Sequence, residues 1–159
     1  MHTNPNQHNT QNHLLDIITI YTDGACLGNP GKGGWAAILL YKNHNKEISG
    51  NQPHTTNNRM ELTAVIEALK TLKKPSNIIV YTDSTYVKDG ITSWLVKWQQ
   101  NNWQTSKKEP VKNIDLWQEL NLQSQNHQIN WQWVKAHNGN QYNELVDKLA
   151  RKSAQTVLI

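Results

Sequence analysis

Four acidic residues and one histidine stand out in this chain by position. Asp23 closes the run DIITIYTD and Asp83 closes NIIVYTD. In both, an apolar, β-branched stretch ends on Tyr-Thr-Asp and is followed by a small residue. Each run reads as a buried strand, and a carboxylate is expensive to bury. A single helical segment separates the two runs, which makes them parallel neighbours. Both aspartates then sit side by side at the carboxyl ends of adjacent strands, where ligand sites form in α/β sheets. Two carboxylates there repel each other unless a cation lies between them.

Helical geometry adds two more acids. Glu61 lies early in the segment NNRMELTAVIEAL, with Val65 and Ala68 following on the stripe that faces the sheet. Asp147 shares a side of its helix with Ala150 and Ala154. Four carboxylates from four elements are thus aimed at one spot. Hard oxygen ligands of this kind suit Mg²⁺ or Mn²⁺, which keep several waters and bridge to phosphate. Taken singly, each acid has a plainer explanation. Asp-Gly and Asp-Ser start turns, Glu61 favours a helix N-terminus, and Asp147 can pair with Arg151. The combination, with both strand ends matched, carries the metal reading. His137, in the glycine-containing loop AHNGNQYN, can titrate near neutrality and move protons.

The elements that must position these groups follow from periodicity. DIITIY (16–21) reads as a strand, GACLGNPGKGG (24–34) as turn chemistry and WAAILLY (35–41) as a second strand. A hairpin turn at 43–46 leads to an edge strand at 46–52. A helix is expected over 57–74, stopped by Pro75, and a fourth strand over 77–83. The stretch 84–100 reads as a helix broken near Gly90, and 101–113 as a polar, basic loop. A helix over 114–125, a strand over 128–134 and a helix over 143–155 with Asn143 as its cap complete the chain. The order predicts a mixed α/β fold: a five-stranded mixed sheet in which three antiparallel strands lead and two parallel strands are added by right-handed crossovers, with helices on both faces.

Bulk properties narrow the class. The 159 residues suffice for one domain with a real core. Net charge is +4, compatible with a polyanionic partner but ordinary in itself. Cys26 is the only cysteine, so no internal disulfide can form, and a reducing, cytoplasmic setting is expected. No apolar run is long enough to span a membrane. Residues 1–13, MHTNPNQHNTQNH, lack the features of a signal peptide and read as a disordered polar tail.

Two nucleotide motifs fail on inspection. A phosphate loop needs Gly five residues before the Gly31-Lys32 pair, where Cys26 stands, and Ser or Thr where Gly33 stands. GKGGWA fits a dinucleotide fingerprint in letters but leads into a strand instead of a helix. Cys26 as a nucleophile is disfavoured, because acids nearby raise a thiol's pKa.

TDGACLGNPGKGGWA, TTNNRMELTAVIEAL, YTDSTYV and WVKAHNGN with NELVDKLA together resemble bacterial type 1 ribonuclease H, from about Ile17 to Ala154. The resemblance implies one ribonuclease H domain over 14–159, a monomer, that cleaves the RNA strand of an RNA–DNA hybrid to leave 5′-phosphate and 3′-hydroxyl ends. It places Asp23, Glu61, Asp83 and Asp147 on the family's metal-binding carboxylates, and His137 on a loop histidine that assists proton transfer or product release. Two Mg²⁺ ions (Mn²⁺ as the substitute), ~3.5–4 Å apart in such sites, can activate a water and stabilise the leaving 3′-oxygen. By position, Cys26, Asn29, Asn57 and Asn58 fall where the family reads 2′-hydroxyls in the minor groove; asparagine is also a routine turn residue.

The 94–117 segment corresponds to the family's basic handle for the DNA strand. Trp94, Trp98 and Trp117 interleave there with Lys107, Lys108 and Lys112, a pattern suited to nucleic acid, although part of the aromatic set also reads as core. Gln99, Gln100, Asn101 and Asn102 stand where relatives often carry a lysine–arginine cluster, which predicts weaker binding and a shallower salt dependence. Thr85 replaces a frequent Gln, and Ala136 a frequent Gly. A silent hybrid-binding module is the competing reading, but a pure binder has no reason to gather four negative charges against phosphate. A DNA nuclease of the same fold is the other.

Overall fold

The computed structural model describes residues 16–135 and 140–158. The 1–13 tail and His137 lie outside them. Five strands form one sheet in the order β3-β2-β1-β4-β5. Strands β1 (Ile17–Leu27), β2 (Gly31–Tyr41) and β3 (His44–Thr55) make the antiparallel meander, and β4 (Asn77–Thr82) and β5 (Gln128–Trp133) add in parallel beyond β1. The expected mixed sheet is the one observed. The segment 24–34 is corrected: most of it is strand, and only residues 28–30 turn, with Gly28 at φ 79. A continuous β1–β2 ladder from Thr19↔Leu40 to Leu27↔Lys32 overrides the turn propensity of Gly24, Gly33 and Gly34.

Helix α1 (Asn57–Lys70) is capped by Thr56, whose Oγ1 accepts from the Arg59 N–H at 3.3 Å. After β4 comes an unbroken helical stretch: α2 (Thr85–Asp89), a wide turn of π geometry (Gly90–Trp94) and α3 (Leu95–Gln100). The expected break near Gly90 is instead the start of the π turn, where any side chain would run into the Trp117 ring. Helix α4 (Ile114–Ser124) precedes β5, and α5 (Gln141–Gln155) ends the fold. The cap of α5 is Asn140, whose Oδ1 accepts from the Tyr142 and Asn143 N–H groups at 3.0 Å; Asn143, expected to cap, is buried inside the first turn.

Strand alternation sorts the core into two layers. Ile20, Ala37, Leu39, Ile78 and Val80 pack under α1 and α4 with Leu62, Val65, Leu69, Trp117 and Leu120. Tyr21, Ala36 and Ile38 pack on the opposite face against Val146 and Ala150 of α5. Helices therefore cover both faces, as predicted. No helix among the described residues is long and apolar enough to cross a membrane.

Candidate active site

The parallel register pairs Tyr21 with Tyr81 as the last β1–β4 rung. Asp23 and Asp83 each lie two residues beyond it, so they emerge level with each other. Asp23 is not the tip of its strand, because β1 runs on to Leu27 against β2. It marks the point where β1 parts from β4, and the fork so opened is the site. Under it, the Tyr21 and Tyr81 rings stack at 4.8 Å and Tyr142 of α5 tilts against Tyr21 at 5.2 Å.

Gly24 admits the third acid. A Cβ there would overlap the backbone of Met60 and Glu61, so only glycine lets α1 lie directly on β1 at this point. Glu61 is thereby carried over the strand to Asp23. Oxygens of Asp23, Glu61 and Asp83 come within 4.8 Å of one another. Asp147, on α5, adds to the upward push on the Asp23 carboxyl, while its Oδ2 meets Arg151 Nη2 at 2.9 Å. It stands at the margin of the trio, outside the tightest group.

Asp23 and Glu61 are 3% and 4% exposed. Burial, then the charges of Glu61 and Asp83, push the Asp23 carboxyl far above the ordinary range. Burial and the Asp83 charge push Glu61 up as well, opposed by hydrogen bonds with Asp23 and with the Gly24 backbone. One oxygen of Glu61, Oε2, is buried with no hydrogen-bond partner among the described residues. An orphaned buried carboxylate oxygen beside two more carboxylates is a costly arrangement in a bare protein. A hard divalent cation removes that cost, so these residues fit Mg²⁺ or Mn²⁺.

The residues expected to read the minor groove lie at the end of β1, in the β1–β2 turn and in the first turn of α1. Asn29 Oδ1 accepts from the Asn57 N–H at 3.0 Å, which ties the β1–β2 turn to the start of α1. Asn58 is half-buried in that first turn. The half-buried Cys26 thiol has the Gly28, Thr55 and Gly31 carbonyls within reach at 3.0, 3.4 and 3.6 Å, and its single S–H donates to one of them at a time; desolvation raises its pKa, which lowers its reactivity.

The tryptophan segment divides in two. Trp117 is 0% exposed and donates its Nε1–H to Tyr86 Oη at 2.9 Å, so it is core and offers no surface to a ligand. This corrects its expected place among substrate contacts: its position on the sheet-facing side of α4 outweighs its basic neighbours. Trp94 and Trp98 are half-buried on top of it, with Trp98 lying 5.8 Å from Trp94 and 5.4 Å from Trp117. Lys107, Lys108 and Lys112 are exposed. Sequence reasoning passed over Arg59. It holds Asp115 through two hydrogen bonds of 3.0 and 2.7 Å and Asn113 through a third of 3.2 Å, and so joins the start of α1 to the root of the segment. The lone arginine among the polar residues of NNRME was the available signal.

A mixed sheet with carboxylates gathered where two parallel strands part defines an α/β protein with a divalent-cation type of site. The family model for RNase H matches residues 16–155, and the chain belongs to that family. It is 61% identical to a ribonuclease H of Ehrlichia canis over 137 residues, covering 86% of this chain and 94% of the relative. It is 59% identical to one from a Wolbachia of Drosophila simulans over 136 residues, with the same coverage. Among solved structures it resembles a type 1 RNase H carrying the type 2 active-site motif, at TM-score 0.80 and 32% identity over 88% of this chain and 72% of that one. It also resembles a foamy viral protease-reverse transcriptase solved with an RNA/DNA hybrid, at TM-score 0.73 and 25% identity over 91% of this chain and 21% of that one.

Proposed function

We propose that this chain is a metal-dependent endoribonuclease that hydrolyses the RNA strand of RNA–DNA hybrids by two-metal chemistry, leaving 5′-phosphate and 3′-hydroxyl ends. The observation that carries the reading is the trio Asp23, Glu61 and Asp83, whose oxygens lie within 4.8 Å while one Glu61 oxygen has no partner among the described residues. Their mutual repulsion is useful only to a cation. Relatives named ribonuclease H, and a structural relative solved on an RNA/DNA hybrid, support the choice of substrate.

In this mechanism Asp23, Glu61 and Asp83 hold the cations from the floor and Asp147 from the α5 side. When bound, the cations supply Lewis-acid activation of water and stabilise charge on the leaving oxygen. The protein's part is to present the carboxylates at fixed angles and to place the scissile phosphate over them. Asn29, Asn57 and Asn58 line the RNA side and test for 2′-hydroxyls. Lys107, Lys108 and Lys112 hold the other strand by its phosphates. His137 moves a proton or speeds product departure.

The test is cleavage of end-labelled RNA–DNA hybrid, duplex RNA and duplex DNA, each with Mg²⁺ and with chelator. Cleavage confined to the RNA of the hybrid and abolished by chelator is expected. Cleavage of duplex DNA at a comparable rate overturns the reading, as does hybrid cleavage in chelator.

A further inference from the structure

Trp133 is in an unusual place for an indole. It ends β5 on the face where Ile129 and Trp131 are half-buried, yet it is 42% exposed. An apolar hollow of about 100 Å³ opens beside it, lined by Val87, Ile91 and Trp131 among others, so close packing does not hold the ring. Two directed contacts do. Its Nε1–H donates to the Asp83 carbonyl at 3.2 Å, and the Lys88 ammonium from α2 lies 4.8 Å from the centre of its ring.

The position of that hydrogen bond matters. The β4–β5 ladder ends at Thr82↔Trp133, closed by the Val134 N–H on the Thr82 carbonyl at 2.9 Å. Asp83 is the first residue past the ladder, and the next, Ser84, already caps α2. The backbone that carries the Asp83 carboxylate has thus left the ladder, and the Asp83–Ser84 peptide is held from two sides: its N–H donates to Thr82 Oγ1 at 3.1 Å, and its carbonyl accepts from the indole of β5. A rotation of this peptide swings the Asp83 Cβ, and with it the carboxylate. A ring that only covered the sheet end would need neither the N–H nor the cation.

We propose that Trp133, steadied by Lys88, is a positioning residue: its indole N–H fixes the Asp83 peptide and so aims the Asp83 carboxylate at Asp23 and Glu61. The proposal rests on the reading of Asp83 as a cation ligand. It adds an outer support to that ligand, the arrangement that sets metal affinity in many sites.

The experiment measures Mg²⁺ binding by calorimetry without substrate, alongside hybrid cleavage at limiting and saturating Mg²⁺. Trp133→Phe keeps a ring for Lys88 and removes the donor. It should weaken Mg²⁺ about tenfold, the low end for loss of an outer support. Cleavage should fall at limiting Mg²⁺ and recover at saturation, with KM for hybrid unchanged. Lys88→Met should weaken Mg²⁺ in the same direction by about two- to fivefold, the worth of an exposed cation–π contact, and Lys88→Arg should restore it. Parent-like Mg²⁺ affinity in Trp133→Phe overturns the proposal. If that variant does not fold, parent-like affinity in Lys88→Met overturns it instead. Asp83→Asn separates the two readings. If it binds Mg²⁺ as the parent does, Asp83 is not a ligand and both readings fall. If it loses Mg²⁺ while Trp133→Phe does not, only the role of Trp133 falls.

Discussion

The acidic fork and the tryptophan segment are built on opposite plans. At the fork, Asp23 and Glu61 are buried and Asp83 and Asp147 half-buried, and they are carried by β1, α1, the residue just past β4 and α5. In the 94–117 segment the charges are exposed on loops and the aromatic groups are buried beneath them. Four described residues near the lysines or in their loop (Asn102, Trp103, Lys108 and Asn113) have positive φ, with values from 51 to 61. A buried carboxylate cluster is costly without its cation and must be rigid to be useful. An exposed lysine costs little and works at any of several angles, because attraction to a phosphate is long-ranged and weakly directional. The proposed function thus assigns chemistry and affinity to separate parts of the fold, and predicts that each can be altered with the other left in place.

The sharpest break is at the fork. Asp23→Asn or Asp83→Asn should lower turnover by on the order of 10³-fold or more, the scale of losing a principal electrostatic stabiliser. The melting temperature without metal should hold or rise, because like-charge repulsion is relieved. Near-parent turnover in either variant removes that aspartate from the chemistry. His137→Ala should cost less, on the order of 10²-fold or below, the low end of acid–base catalysis. Its Mg²⁺ affinity by calorimetry should match the parent, and a loss of binding would make His137 a ligand.

The segment should answer in the opposite currency. Lys107→Ala with Lys108→Ala should raise KM at moderate salt and flatten its salt dependence by up to about two units of slope, one per phosphate contact. Turnover at saturation should not move. Gln100→Lys should act in the reverse sense; it is a cleaner probe than Gln99, whose Nε2 already donates to Asn121 Oδ1 at 2.8 Å. Parent-like KM across a salt series in both variants would mean that the segment does not touch substrate.

The smallest effect is a pH signature confined to the fork. Asp23 and Glu61 have folded pKa values above their unfolded ones, so the folded protein holds protons that the unfolded chain releases. Stability from this source is complete below about pH 4, the ordinary carboxyl range, and declines as pH rises toward the raised folded values. In chelator, the melting temperature should therefore fall as pH rises from about 5 to about 8. Mg²⁺ should reverse the trend, and Asp23→Asn should reduce it. A melting temperature in chelator that rises over this range contradicts the raised values. Asp115 marks the contrast, since its hydrogen bond with Arg59 lowers its pKa and gives the opposite sign.

Much of this molecule was legible in the order of its residues. Alternating and 3.6-residue patterns are local properties, so the strands around Ile20 and Val80, the helix through Leu62 and Val65, and the matched Tyr-Thr-Asp ends could be read directly. Ends of elements were less legible. Gly31, Gly33 and Gly34 read as turn and proved to be strand, because the ladder with β1 and β3 outweighs a local preference. Contacts between layers were decided only by the tertiary structure. Trp117 and Lys112 look alike as parts of an aromatic and basic run, and packing of the Trp117 ring against Gly90 put one in the core and left the other in water. Gly24 looked like a turn residue, and its actual use is to let α1 touch β1 so that Glu61 reaches Asp23. Trp133 had no role in the strand read over 128–134, and only the tertiary structure shows its N–H on the Asp83 carbonyl at the end of the β4–β5 ladder. Periodicity records which face of an element is apolar. How closely two faces approach depends on side chains distant in sequence, and that distance decides which polar groups meet.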